Sequence, residues 1–111
     1  MQAIPLGLIR VPTPGVPVQI TTDATLNVVM IMARTVPGFT GKTYLGVSGM
    51  NKSGSNMPGV MRVLSEPSFG PQDGEVLPPA GRGHGNVLRV SDYWVDADVA
   101  NEGVIVTCFV A

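Results

Sequence analysis

The chain has 111 residues, the length of one domain, and only 14% of them are charged, with a formal net charge of −1; typical soluble domains carry about 25% charged residues. Binding to nucleic-acid phosphates needs clustered Lys and Arg, so this composition argues against it. A hydrophobic share of 44% also argues against disorder, which requires low hydrophobicity and high net charge.

Gly and Pro account for 24 of the 111 residues, about twice the usual share, and they divide the chain into short segments. Apolar runs between these breaks predict about seven to eight strands. In chain order these are residues 6–11, 16–21, 26–35, 42–48, 60–64, 75–77, 86–90 and 103–110. At most one short helical turn is expected, near residues 92–98, with Ser91 as its N-cap. The pattern predicts one all-β domain over residues 1–111, an antiparallel β-sandwich or jelly-roll-like barrel.

Within two of these segments, residues 27–33 and 104–110 are mostly apolar at both odd and even positions. Side chains alternate between the faces of a strand, so a strand with one wet face should alternate apolar and polar residues. Either these strands lie inside a layered structure, or a second subunit covers one face. Because low charge also favours self-association, we expect a dimer or trimer in which these strands supply both the core and the self-interface. Met30 and Met32, on one face, are expected to fill the core.

The segment Gly38-Phe39-Thr40-Gly41-Lys42-Thr43 ends like a phosphate-binding loop. The full motif needs a Gly where Val36 stands and a helix after the Lys-Thr pair. The residues that follow form a strand pattern, so the segment is interpreted as a loop before a strand, with Lys42 exposed.

An acidic group near the C-terminus comprises Asp92, Asp96, Asp98 and Glu102. Carboxylates at short spacing can hold Ca²⁺, but the ligand spacing and central Gly of an EF-hand are absent. The group is therefore interpreted as a structural turn, in which Arg89 pairs with one carboxylate, and no metal site is predicted.

No catalytic or cofactor-binding constellation is predicted. His84 is the only histidine and lies between glycines, whereas a catalytic histidine must be held by packing. Residues 46–50 miss the Gly-x-Ser-x-Gly nucleophile elbow by one place. Cys108 lies in an apolar strand, which raises the pKa of a thiol and makes it a poor nucleophile. We therefore expect a protein that is not an enzyme and has no cofactor.

Aromatic and methionine side chains supply candidates for an interface. Tyr93 and Trp94 form the densest aromatic spot, and we expect one ring to plug the end of the barrel and the other to face a partner. Met50 and Met57 flank a polar loop at 49–59. The predicted interface residues are Met50, Met57, Tyr93, Trp94, Val104, Val106 and Phe109.

The N-terminus shows no secretory signal, and no apolar run is long enough to span a membrane. With a single cysteine there is no internal disulfide, so synthesis in a reducing cytoplasm is expected.

Several segments resemble small structural proteins of tailed bacteriophages. They are Leu6-Gly7-Leu8-Ile9-Arg10-Val11, Pro37-Gly38-Phe39-Thr40-Gly41-Lys42-Thr43-Tyr44-Leu45-Gly46, Asp92-Tyr93-Trp94-Val95-Asp96-Ala97-Asp98-Val99 and Glu102-Gly103-Val104. The resemblance implies a non-enzymatic, homo-oligomeric β-sandwich protein of the virion, made in the host cytoplasm. The leading expectation is a capsid decoration or cement protein that binds the major capsid protein.

In this expectation the loops at 49–59 and 78–85 and the N-terminal segment 1–5 reach the shell. One alternative is a tail or head–tail joining protein. A second is a small carbohydrate- or ligand-binding β-module. Such a module needs exposed aromatic platforms, and the chain has few aromatic residues.

Overall fold

The computed structural model describes residues 2–64, 74–77 and 88–110, with 74–77 described by their backbone. His84 and the loop predicted at 78–85 lie outside these residues. The described residues form ten antiparallel strands and one 3-10 turn, which confirms the all-β prediction. The strands are β1 (Gln2–Val11), β2 (Val18–Gln19), β3 (Asn27–Val28), β4 (Met30–Arg34), β5 (Thr43–Val47), β6 (Val60–Leu64), β7 (Gly74–Leu77), β8 (Leu88–Arg89), β9 (Tyr93–Ala97) and β10 (Glu102–Val110).

The strands pair as a nested set, as in one long hairpin. From the ends of the chain inward, β1 pairs with β10, β2 with β9, β3 with β8, β4 with β7 and β5 with β6. Two further pairings, β10 with β4 and β5 with β9, roll this hairpin into two four-stranded sheets, and β3 and β8 form a separate two-stranded sheet. The strand orders of the four-stranded sheets are β1-β10-β4-β7 and β2-β9-β5-β6. This is the topology of a jelly roll, which folds eight main strands into two packed sheets.

The core lies between the two sheets and is aliphatic. From β10, the side chains of Val104, Val106 and Cys108 point inward and are 0% exposed. On β4, Ile31 and Ala33 do the same. The inward residues sit at alternate positions, as the pleat of a strand requires.

Close backbone approach fixes the pairing of β1 with β10. A Cβ at Gly103 would lie 1.8 Å from the carbonyl oxygen of Ile9, so no other residue fits there. In β1 the register shifts between Pro5 and Gly7, and Gly7 has φ +82°. The bulge lets both Ile4 and Ile9 pack against the core although they differ in parity.

Three sequence predictions are corrected by the strand bounds. The helical turn is a 3-10 turn at Val90–Asp92, and the segment expected to continue it, Tyr93–Ala97, is strand β9. Ser91 lies inside that turn, and the residue at the cap position, Arg89, makes no side-chain capping bond. The predicted strand at 26–35 is two strands. Residues 2–5, which the sequence analysis expects to reach the shell, belong to β1 and pair with β10 from Gln2 opposite Val110 onward.

Candidate interaction surfaces

One face of the β1-β10-β4-β7 sheet points away from the core, and its described side chains are apolar or uncharged over most of its length. The register places them in rows across three strands: Ala3–Phe109–Met30, Pro5–Thr107–Met32 and Leu8–Ile105–Arg34. Val76 of β7 occupies the register position opposite Met32. We call this the outer sheet face, defined by Ala3, Pro5, Leu8, Met30, Met32, Ile105, Thr107 and Phe109.

Most of these side chains are half-buried, while Ala3 and Pro5 are exposed. Among the described residues, the charged side chains on this face are Arg34 and Arg10, and both lie toward one end. Arg10 is further occupied by a bond that its Nη1 donates to the carbonyl of Asn101 at 2.8 Å. An uncharged sheet face of this extent is typical of a surface that is covered in the functional state.

A second apolar surface lies on the β5–β6 hairpin, which belongs to the other sheet. Val47, Met57, Met61 and Val63 are 38%, 37%, 43% and 41% exposed. Val63 lies opposite Tyr44 and shares one face of β6 with Met61, whereas Val47 lies opposite Tyr93 and points to the core side of the sheet. We call Met57, Met61 and Val63 the hairpin patch. Among the described strands, β6 is the last in its sheet order, so Met61 and Val63 lie at an edge of that sheet, where pairing with another chain is favoured.

The loop that connects β5 and β6 is folded by its own hydrogen bonds. The amide of Asn51 donates to the carbonyl of Pro58 (2.9 Å), and the amide of Met57 donates to the carbonyl of Gly54 (3.0 Å). Met57 has a positive φ of 43°, a conformation that non-glycine residues seldom adopt. The loop therefore presents Met57 in a fixed position.

A polar cluster ties this loop to the end of β9. The Tyr44 hydroxyl donates to the Asp98 carboxylate at 3.0 Å, and Lys52 Nζ forms an ion pair with the same carboxylate at 3.0 Å. Lys52 Nζ also lies 5.7 Å from the centre of the Tyr44 ring, within cation–π range. Burial, followed by the bond to Asp98, raises the pKa of Tyr44 to about 12. The cluster orders the hairpin and leaves Tyr44 a proton donor, not a base.

Asp96 is 1% exposed on β9. Its Oδ1 accepts the amides of Gly15 (3.0 Å) and Ala97 (2.7 Å). Its Oδ2 is buried and finds no partner within the described part of the chain. Asp96 thus fastens the β1–β2 turn to the second sheet. Across residues 2–64, 74–77 and 88–110, no three His, Cys, Asp or Glu side chains are grouped so as to hold a metal ion.

The segment that resembles the end of a phosphate-binding loop is occupied by the chain's own carboxylate. Glu102 is 9% exposed; its Oε2 accepts the amide of Thr40 at 3.1 Å, and its Oε1 accepts the amide of Gly41 at 2.9 Å. A Cβ at Gly41 would lie 2.7 Å from Val99, so the fit is tight. Strand β5, not a helix, follows the loop. The loop serves to bind Glu102.

Three of the predicted interface residues lie in the interior. Val104 and Val106 are 0% exposed and Met50 is 4% exposed. Side chains buried this deeply make almost no contact with a second subunit, so these three residues stabilise the fold of the single chain. In the same strand, Phe109 lies on the outer sheet face, and Met57 belongs to the hairpin patch.

The aromatic pair on β9 is half-buried. Tyr93 packs against the core, and burial followed by the charge of Asp92 raises its pKa. Trp94 has the opposite parity and lies opposite Gln19 and Gly46 on the other face of its sheet. The two rings therefore point to different sides of the strand.

Sequence reasoning missed most of the outer sheet face. Met30 and Met32 were expected in the core, but they lie on the outer face, because the inward positions of β4 are Ile31 and Ala33. The sequence signal for this face is the set of odd-numbered positions in β10, because Ile105 and Thr107 lie on the same side of the strand as Phe109.

Comparison of the chain with protein-family models, curated proteins and solved structures gives no match. No helix among the described residues has the length and apolarity needed to cross a bilayer.

Proposed function

We propose that this chain is a non-enzymatic structural protein of a tailed-phage virion, a capsid decoration protein that associates with itself and binds the major capsid protein. The observation that carries the proposal is the presence of two separate apolar surfaces on different sheets of one small protomer. A protein that joins copies of itself to a shell needs two such surfaces, whereas a simple binding module needs one.

The fold and the sequence resemblance support the same proposal. Jelly rolls occur in viral capsid proteins, and also in lectin domains, so this support is an analogy at the level of fold. The described polar clusters favour a structural role, because Asp96, Asp98 and Glu102 all bind groups of the chain itself.

The two surfaces bind different partners. The outer sheet face meets other copies of the chain, and the hairpin patch meets the shell. The shell is stabilised by the apolar area that these contacts remove from water, at about 25 cal/mol per Å². Because the hairpin loop is already folded, little conformational entropy is lost when it docks.

The test is binding of the purified protein to shells of its phage that lack it. The double variant Met61→Ser/Val63→Ser removes the exposed apolar side chains of β6 and should lower shell occupancy at least tenfold, with unchanged thermal stability. Val16→Ser is the matched control, since Val16 is 58% exposed on the β1–β2 turn. Equal occupancy for the double variant would refute the role of the hairpin patch, and failure of the wild type to bind would refute the function.

A further inference from the structure

We infer that the outer sheet face is the site at which a second copy of this chain docks, face to face about a two-fold axis that passes near Thr107. The inference rests on the self-association in the proposed function and names its surface and geometry. An experiment can refute this dimer while the hairpin patch is still found to bind the shell.

The area of the face suits a second copy. The four strands of this sheet contain 10, 9, 5 and 4 residues. One residue covers roughly 16 Å² of a sheet, from the strand spacing and the rise per residue, so the face covers roughly 450 Å². Two copies would bury roughly 900 Å², above most crystal contacts and below the roughly 1,600 Å² of a standard interface. A weak, concentration-dependent dimer is expected.

The charge distribution also suits self-docking. A two-fold interface brings the same surface of both copies together, so any charge near the axis would meet its own like charge. The row that contains Thr107 carries Pro5 and Met32 and no charge. The arginines Arg34 and Arg10 lie toward one end of the face. An axis near Thr107 therefore gives an apolar centre with a charged rim, the usual anatomy of an interface.

A heterologous partner is less well supported by this face, because the described residues offer no charge pattern that would select it. Stacked sheets pack about 10 Å apart, and the half-buried side chains of Met32, Ile105 and Phe109 can fill that layer. Methionine adapts its shape to a facing copy.

The primary test is sedimentation of the full chain from about 1 to about 300 µM, a range chosen for a weak interface. The wild type should dimerise as concentration rises, and Thr107→Lys should weaken dimerisation at least tenfold, because each copy would place a charge at the axis. Val16→Lys, with the same new charge outside the face, should dimerise like the wild type. A monomer at every concentration, a trimer, or a folded Thr107→Lys variant that dimerises normally would overturn the inference.

A second variant covers the case in which Thr107→Lys does not fold. Thr107→Cys nearly preserves size, and a bifunctional maleimide with a reach above about 10 Å should link two copies. The wild type is the control, since burial raises the pKa of Cys108 and keeps its thiol inert. Absence of linked dimer in Thr107→Cys would overturn the inference.

Discussion

Strand β10 provides the sharpest prediction, because neighbouring residues serve different faces. The side chain of Val106 is 0% exposed and belongs to the core. Val106→Ala deletes two methyl groups, each worth about 0.8 kcal/mol on transfer from water, and leaves a cavity. The total loss is about 2–3 kcal/mol in the free energy of unfolding. For a domain of this size the melting temperature should fall by about 8–15 °C.

The assay is urea denaturation followed by fluorescence of the single tryptophan, at a concentration low enough to keep the chain monomeric. Ile105→Ala is the matched control, because Ile105 is half-buried on the opposite face. It should cost the monomer less than about 1 kcal/mol and should weaken dimerisation. The reasoning is refuted if the two substitutions destabilise the monomer equally, or if Val106→Ala costs less than about 0.5 kcal/mol.

Three further predictions concern other parts of the fold. Gly103→Ala should lower the unfolding free energy by more than about 3 kcal/mol or prevent folding, since its Cβ would collide with the carbonyl of Ile9; a normal melting curve would contradict the β1–β10 register. Glu102→Gln should cost about 1.5–3 kcal/mol by calorimetry, because only one of the two loop amides keeps an acceptor; no change would show that the loop does not depend on the carboxylate. The folded pKa of Tyr44 (about 12) exceeds the ordinary value of 10.0, so its contribution to stability is present below pH 10.0 and is lost as pH rises toward about 12. Asp98→Ala removes the acceptor and the charge, so it should shift the ultraviolet titration of Tyr44 toward the ordinary value, and an unshifted curve would contradict the hydrogen bond.

The sequence predicts the fold class well, because turn residues and apolar runs are local signals. The predicted strand at 60–64 matches β6, and the one at 42–48 contains β5 (Thr43–Val47). Strand β9 was missed because Asp and Ser beside it favour turns. What makes Asp96 tolerable in a buried strand is the amide of Gly15, 81 residues away in the chain, and no local pattern reveals such a bond.

The outer sheet face was only partly predictable for the same reason. Two-sided apolarity of 104–110 indicated a covered second face, but the assignment of each residue to a face depends on register. The bulge at Gly7 and the split of the 26–35 segment into β3 and β4 set that register. The pairing across β10 therefore had to come from the structure.

The measurement that tests the central claim most directly is the copy number of this chain in purified virions of the tailed phage that is proposed to encode it, by quantitative mass spectrometry against the major capsid protein. The account predicts parity or a simple fraction of the shell copy number. A trace ratio would place the chain in the tail or its connector, and complete absence from the particle would contradict the account.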